Sequence, residues 1–226
     1  MEIHGSTTVN GNVFAPHGAA IEKEAGVTLK LVANGSGRGV TDLADGKADV
    51  GMVSSPLADV VAKLNKKTPG AVDATGWKAH QIGTTKVAFV VNPGNPVGEL
   101  TLEQVGQILS GAITDWKDVG GTPGPIVVIA ESSGGGIRTV VEDDLLSKKS
   151  IAAPKMKEVP NASQVSKIVA QLPTAFGVST PATATDAVKT VRTDKPIEQP
   201  LILVTKGDPS PEVAKIIAAA TRVAPQ

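Results

Sequence analysis

The sequence predicts an α/β fold: a mainly parallel sheet with helices packed on its faces. Three observations lead there. Short β-rich runs alternate along the chain with segments of helical apolar spacing, the pattern of strand–helix–strand units. Gly- and Pro-containing breaks separate the segments, at Thr68-Pro69-Gly70, Asn92-Pro93-Gly94-Asn95-Pro96 and Gly120-Gly121-Thr122-Pro123-Gly124-Pro125. A length of 226 residues, 41% of them hydrophobic and 19% charged, is enough to bury a core in one or two compact domains.

In chain order, a very short strand precedes Gly5, and a first helix is expected over Val13–Glu24. Strands Val27–Ala33 and Asp49–Val53 enclose a helix at Gly39–Asp45, and a helix at Leu57–Leu64 follows. Strand Lys86–Val91 leads to helix Leu102–Leu109, whose apolar residues Leu102, Val105, Ile108 and Leu109 share one face. Thr101 with Gln104 forms a capping box at its start. Strands Ile126–Ala130, Lys155–Val159 and Ala175–Ser179 alternate with helices Ile137–Leu146 and Ala162–Gln171. Strands Val188–Arg192 and Leu201–Val204 close the series, and Ser210 before Pro211 opens a last helix, Pro211–Val223.

Composition removes several classes of function. Lys+Arg and Asp+Glu are both 22, so no broad positive field exists for nucleic acid or an anionic membrane. Aromatic residues are only 2%, with no tyrosine, which leaves almost no stacking platform for bases or sugar rings. Cysteine is absent, excluding disulfides, thiolate metal sites and cysteine nucleophiles. The longest apolar runs, such as Val87–Val91, are far too short to cross a bilayer. Met1-Glu2-Ile3-His4-Gly5 leads straight into polar residues and carries no leader pattern. The three histidines, His4, His17 and His80, have no metal-ligand spacing, so no metal and no cofactor are expected. No GxSxG elbow is present either, and Glu142, Asp143 and Asp144 read as a solvated acidic helix face.

Three turns combine glycine with small hydroxyl residues: Gly5-Ser6-Thr7-Thr8, Gly35-Ser36-Gly37-Arg38-Gly39 and Ser132-Ser133-Gly134-Gly135-Gly136. Each lies between a strand and a helix. Glycine lets backbone N–H groups turn to a ligand, and a helix start adds partial positive charge, so such turns suit an anion. The ordinary role of one such turn is tight connection and capping. Several of them at the carboxyl ends of strands in one open sheet can converge on a single crevice. None has the GxGxxG or GxxxxGK[ST] spacing of a nucleotide site.

Read in order, these turns with Ala48-Asp49-Val50-Gly51-Met52, Ser54-Ser55-Pro56-Leu57, Leu100–Gln104, Ile113-Thr114-Asp115-Trp116 and Leu172–Val178 resemble the phosphate-binding proteins of bacterial ABC transporters. These lie within the type II periplasmic binding protein superfamily. The resemblance spans nearly the whole chain. It implies a two-lobed fold with a ligand cleft, lobe 1 being residues 1–84 plus 181–226 and lobe 2 residues 85–180, joined by two crossings.

The resemblance also implies the site. Ser6, Thr7, Thr8 and Val9 fall on the first ligand loop, Ser36, Gly37 and Arg38 on the second, and Ser133, Gly134, Gly135, Gly136 and Arg138 on the third. Ser54 stands where several members carry an aspartate that accepts the proton of HPO4²⁻. Gly135 and Ile137 replace two expected hydroxyls, and Glu131 stands where a ligand-contacting arginine often lies. Arg38 and Arg138 are the candidate oxyanion clamps.

The implied protein is a periplasmic or extracytoplasmic solute-binding protein, its signal peptide already removed, with phosphate or another small oxyanion as ligand. Membrane subunits of an ABC transporter would be its partners. It is expected to be a monomer, not an enzyme and not a nucleic-acid binder. The alternative is a ligand-poor sensor or interaction module on the same fold, and a third class is an α/β enzyme.

Overall fold

The computed structural model describes residues 1–226. Its strands are β1 (Glu2–Gly5), β2 (Lys30–Val32), β3 (Val50–Val53), β4 (Lys78–Lys86), β5 (Ala88–Val91), β6 (Glu99–Leu100), β7 (Val127–Glu131), β8 (Met156–Val159), β9 (Ala175–Ser179), β10 (Lys189–Thr193) and β11 (Glu198–Thr205). Its helices are α1 (Thr7–Val9), α2 (Ala15–Ala25), α3 (Ser36–Ala44), α4 (Leu57–Lys67), α5 (Leu102–Ser110), α6 (Gly136–Leu145), α7 (Ala162–Gln171) and α8 (Pro211–Val223). A π-helical turn, Asn10–Phe14, joins α1 to α2, so the first helical stretch starts well before Val13.

The chain forms two compact units. The first comprises Met1–Thr85, Ser133–Gly136 and Gln199–Gln226, and the second Lys86–Ser132 and Ile137–Glu198. Residues 181–198 therefore belong with the second unit, which corrects the boundary expected at 180. The reason is pairing: β10 lies antiparallel to β5 and parallel to β6, in the sheet of the second unit.

In the first unit the sheet order is β2-β1-β3-β11-β4. β1 is parallel to β2 and β3, and β11 runs antiparallel to β3. Ile3, Val50, Met52, Leu201 and Leu203 pack on Ile21 and Ile216, while Val53, Ile202 and Val204 pack on Val40, Leu43 and Val60. Helices thus cover both faces, and this is why β3 and the Leu201–Val204 part of β11 read as unbroken apolar runs, while β1 alternates. At Gly39 a Cβ would lie 2.5 Å from Gly5 Cα, so only glycine lets α3 settle this close to β1.

The second unit repeats the plan with the order β6-β10-β5-β9-β7-β8. β7 is parallel to β8 and β9, while β5 is antiparallel to β9. One face holds Phe89, Val128, Phe176 and Val178 against Val105, Ile108 and Val141; the other holds Val90, Ile129 and Ala175 against Val165 and Val169. Three of the five aromatic rings lie here: Phe89 stacks on Phe176 at 5.7 Å, with Trp116 edge-on to Phe176 at 6.3 Å. Both sheets are mixed rather than purely parallel: in the first the late strand β11 runs against β3, and in the second β5, the first strand of that unit, runs against its neighbours β9 and β10. No helix is long and apolar enough to cross a membrane.

Candidate functional site

In the first unit the parallel strands β2, β1 and β3 end on one edge, and each is followed at once by a candidate loop. Ser6 follows β1, Ser36 opens α3 a short loop after β2, and Ser54 follows β3. All three serines are buried. Ser6 Oγ accepts from Val9 N at 3.2 Å, which caps α1, and donates to Ser54 Oγ at 3.0 Å. Ser36 Oγ accepts from Ser54 N at 3.2 Å and stands 3.4 Å from Ser54 Oγ.

This wiring leaves donor capacity on two buried hydroxyls. With Ser6 donating to Ser54 and the Ser54 amide donating to Ser36, the hydroxyl protons of Ser36 and Ser54 face no strong acceptor other than their own long contact. Thr7 Oγ1 and Ser55 Oγ, on the same loops, are buried without a hydrogen-bond partner. The N-cap of α3 is Gly35, which supplies no side-chain acceptor to the first-turn N–H groups of that helix. Beside these hydroxyls one buried acceptor, Asn34 Oδ1, also lacks a partner, and the edge holds no buried carboxylate among the predicted positions.

Thr8 and Val9 are buried in the first turn of this helical stretch, and Gly37 lies one residue into α3. Gly134–Gly136 are buried and Ser133 is exposed. The Ser133–Gly136 segment packs with the first unit, and a Cβ on Gly136 would lie 2.2 Å from Ser54 Oγ and 2.5 Å from Ser36 Oγ. Gly136 therefore rests directly on the serine hydroxyls, and any side chain there would drive them aside.

Two predicted arginines behave differently from expectation. The Arg38 side chain is 69% exposed and reaches Asp42 only at 3.7 Å. Arg138 is withdrawn from the candidate set: its Nε donates to Glu142 at 2.7 Å, and its Nη1 donates to the Glu131 carbonyl at 3.1 Å and to Glu158 at 2.5 Å. A guanidinium so committed in a buried position has no fork left for a ligand. Glu142, expected on a solvated face, is buried as its partner.

Some contributors gave little sign in the sequence. His4, next to the first loop, bonds Asp42 of α3 at 2.9 Å through Nδ1 and Glu2 at 3.2 Å through Nε2. Asn34, next to the second loop, donates to the same Asp42 oxygen at 2.8 Å. Burial alone would raise the Asp42 carboxyl, but these hydrogen bonds and the nearby Arg38 outweigh it and hold the group below the usual carboxylate range. His4, Asp42 and Asn34 thus clamp the first two loops together. The sequence signal was only that His4 and Asn34 immediately precede the glycines.

Glu131 is the other. It ends β7, is 3% exposed, and accepts from Ile137 N at 3.1 Å through Oε2. Burial pushes its carboxyl up to about 7, against the backbone N–H groups of Ile137, Arg138 and Ala162 and the charge of Arg138, which favour the ionised form.

With this geometry in hand, comparison places the chain. A curated phosphate-binding protein PstS of Bacillus subtilis is 25% identical over 177 residues, which are 78% of this chain and 55% of that protein, so the chain spans about half the relative's length. A solved structure described as a putative phosphate ABC transporter substrate-binding protein with bound phosphate, from Clostridium perfringens, superposes with a TM-score of 0.78 at 24% identity. It covers 97% of this chain and 91% of that one. The effector-binding domain of QuiR, solved in complex with shikimate, shares the fold with a TM-score of 0.67 at 12% identity, covering 98% of this chain and 95% of that one. The PBP superfamily domain matches residues 2–217, and the chain belongs to that superfamily, with the two-sheet α/β fold of type II periplasmic binding proteins.

Proposed function

We propose that the chain is an extracytoplasmic solute-binding protein that holds phosphate or a related small oxyanion and delivers it to the membrane subunits of an ABC importer. It acts as a monomer and performs no chemical step on its ligand. The observation that carries this reading is the pair of buried Ser36 and Ser54 hydroxyls, whose donor capacity goes no further than a 3.4 Å contact with each other, beside the uncapped start of α3. An oxyanion there accepts from both hydroxyls and from the first-turn N–H groups at Gly37 and Arg38. The Ser6–Val9 loop and the backbone of Ser133–Gly136 complete the shell, and Arg38 adds only a distant, solvated charge. The phosphate-binding names of the relatives support the choice of ligand.

Ser54 sharpens the ligand class. A carboxylate at that position would accept the proton of HPO4²⁻ and repel fully ionised anions, whereas a neutral serine does neither. The site should therefore separate phosphate from sulfate poorly. The test is a thermal-unfolding screen with phosphate, arsenate, sulfate, molybdate and small carboxylates. A ligand present at a hundred times its Kd adds about 2.7 kcal/mol, which is roughly 5–10 °C for a chain of this size. Phosphate should raise the midpoint, and S36A should remove most of the rise.

A second reading, a sensor or interaction module on the same fold, draws on one observation: Gly136 already rests on the two hydroxyls an anion would use. No shift with any anion in the screen would select it.

A further inference from the structure

Gln199 brings one more polar side chain to the serine edge of the first sheet, and no motif in the sequence marks it. It is the second residue of β11 and belongs, like β3 and the Ser6 and Ser36 loops, to the first unit. β11 runs antiparallel to β3 with Ile202 opposite Val53 and Leu203 opposite Met52, so it begins at the edge where Ser54 leaves β3. Carried on by one residue, this register sets Leu201 beside Ser54. Gln199 follows on the same face, because side chains two apart in a strand point the same way. In an antiparallel pair such a diagonal neighbour of Ser54 stands about 7–8 Å away, within reach of a long side chain.

Leu201 and Leu203 pack in the core with Ile3, Val9, Val13 and Met52, so Gln199 ends a row of apolar side chains. Glu198 before it is exposed and Pro200 after it is half-buried, whereas Gln199 is 0% exposed. Neither its Nε2 nor its Oε1 has a hydrogen-bond partner. A buried amide with both ends unpaired is costly, and an apolar side chain of the same volume would fill the position without that cost. Packing alone therefore gives no reason for glutamine here. Thr7 Oγ1 at the start of α1 and Ser55 Oγ beside Ser54 are unpaired on the loops of the same edge. Asn34 Oδ1 is the other unpaired acceptor of this unit, but its amide is tied to Asp42 through Nδ2 at 2.8 Å, whereas no hydrogen bond fixes the Gln199 amide.

Resting on the oxyanion reading above, we propose that Gln199 is a ligand-contacting residue of that site and sets its tolerance of ligand protonation. Its Nε2 donates to an ionised oxygen of a tetrahedral anion, and its Oε1 accepts from the hydroxyl of a protonated one, the two ends exchanging by a half-turn of the amide. Ser36, Ser54 and the first-turn N–H groups of α3 supply donors, and Gln199 supplies the acceptor that a P–OH group requires. Because the amide carries no charge, it admits HPO4²⁻, H2PO4⁻ and sulfate alike, in keeping with the weak selection expected at Ser54.

Calorimetric titration of Q199M with inorganic phosphate and with sulfate, beside urea unfolding of the ligand-free chain, tests this. Methionine keeps the unbranched shape of glutamine and removes its amide. Affinity for both anions should fall at least about tenfold, while the ligand-free midpoint stays or rises, because a buried unpaired amide is gone. Unchanged affinity overturns the inference. So does a fall in ligand-free stability, which would give the amide a partner within the unliganded fold. NMR of the wild-type chain decides independently of any variant: the side-chain NH₂ signals of Gln199, assigned through its own side-chain carbons, should shift and exchange more slowly with solvent as phosphate saturates. Signals that stay in place while phosphate binds overturn the inference and leave the oxyanion reading standing. Failure of the wild-type chain to bind phosphate overturns that reading and this inference with it.

Discussion

Helices α3 and α6 occupy matching places in their units. Each begins at the carboxyl edge of a set of three parallel strands, β2-β1-β3 for one and β9-β7-β8 for the other. Their first turns are nonetheless treated in opposite ways. α3 starts on Gly35 with no side-chain acceptor, while the N–H groups at the start of α6 are held by the carboxylate of Glu131. One unit leaves its positive helix end open and surrounds it with hydroxyl donors, and the other fills its own with an internal anion. Both solve the same problem of unsatisfied N–H groups, and only the first keeps capacity for a ligand.

Four substitutions probe that contrast, in decreasing order of expected effect. R138A removes the guanidinium from the buried Glu142 and should cost about 3–5 kcal/mol in urea unfolding while leaving anion affinity within a factor of a few. A large loss of affinity at unchanged stability would return Arg138 to the ligand shell. E131Q should abolish a pH slope. The carboxyl is raised in the fold from 4.5 to about 7, so its contribution is fully present below 4.5 and is lost as pH rises through 7, by roughly 3 kcal/mol in all. Stability of wild type relative to E131Q, followed from pH 4 to pH 8, should fall by that order, and a flat difference would mean that Glu131 ionises freely.

S36A comes next. It removes an acceptor for the Ser54 amide and a donor for the ligand, so stability should drop by about 1 kcal/mol and phosphate affinity at least tenfold by calorimetry. The smallest effect belongs to R38A, since an exposed i,i+4 pair with Asp42 contributes less than about 0.5 kcal/mol. Affinity in R38A should change less than threefold at physiological salt. A tenfold loss there would show that Arg38 folds over the ligand.

The alternation of strands and helices was legible because it is written locally, in apolar runs between turn residues. The serine loops were legible for the same reason, since Ser6 and Ser54 stand immediately beyond the runs that become β1 and β3, and Ser36 follows β2 after a three-residue loop. What escaped depends on distant partners. β4 carries exposed and half-buried Lys78, Ala79, His80, Gln81, Thr84 and Thr85, and as the end strand of its sheet it has no two-sided burial to mark it as a strand. Residues 181–198 were misassigned because the pairing of β10 with β5 joins segments a hundred residues apart. Arg138 and Glu142 have the i,i+4 spacing of a solvated helix pair, and only tertiary packing reveals them as buried. The capping by Glu131 spans a loop to reach Ile137 and a whole strand–helix unit to reach Ala162, which no local pattern records.

The most direct measurement is the position of arsenate, a phosphate isostere, in a crystal of this chain, located by the anomalous signal of arsenic. The peak should lie at the start of α3, with arsenate oxygens about 2.6–3.2 Å from Ser36 Oγ, Ser54 Oγ and the Gly37 amide. A peak at the start of α6 with Glu131 displaced, or no peak under saturating arsenate, would contradict the assignment of the open helix end as the anion site.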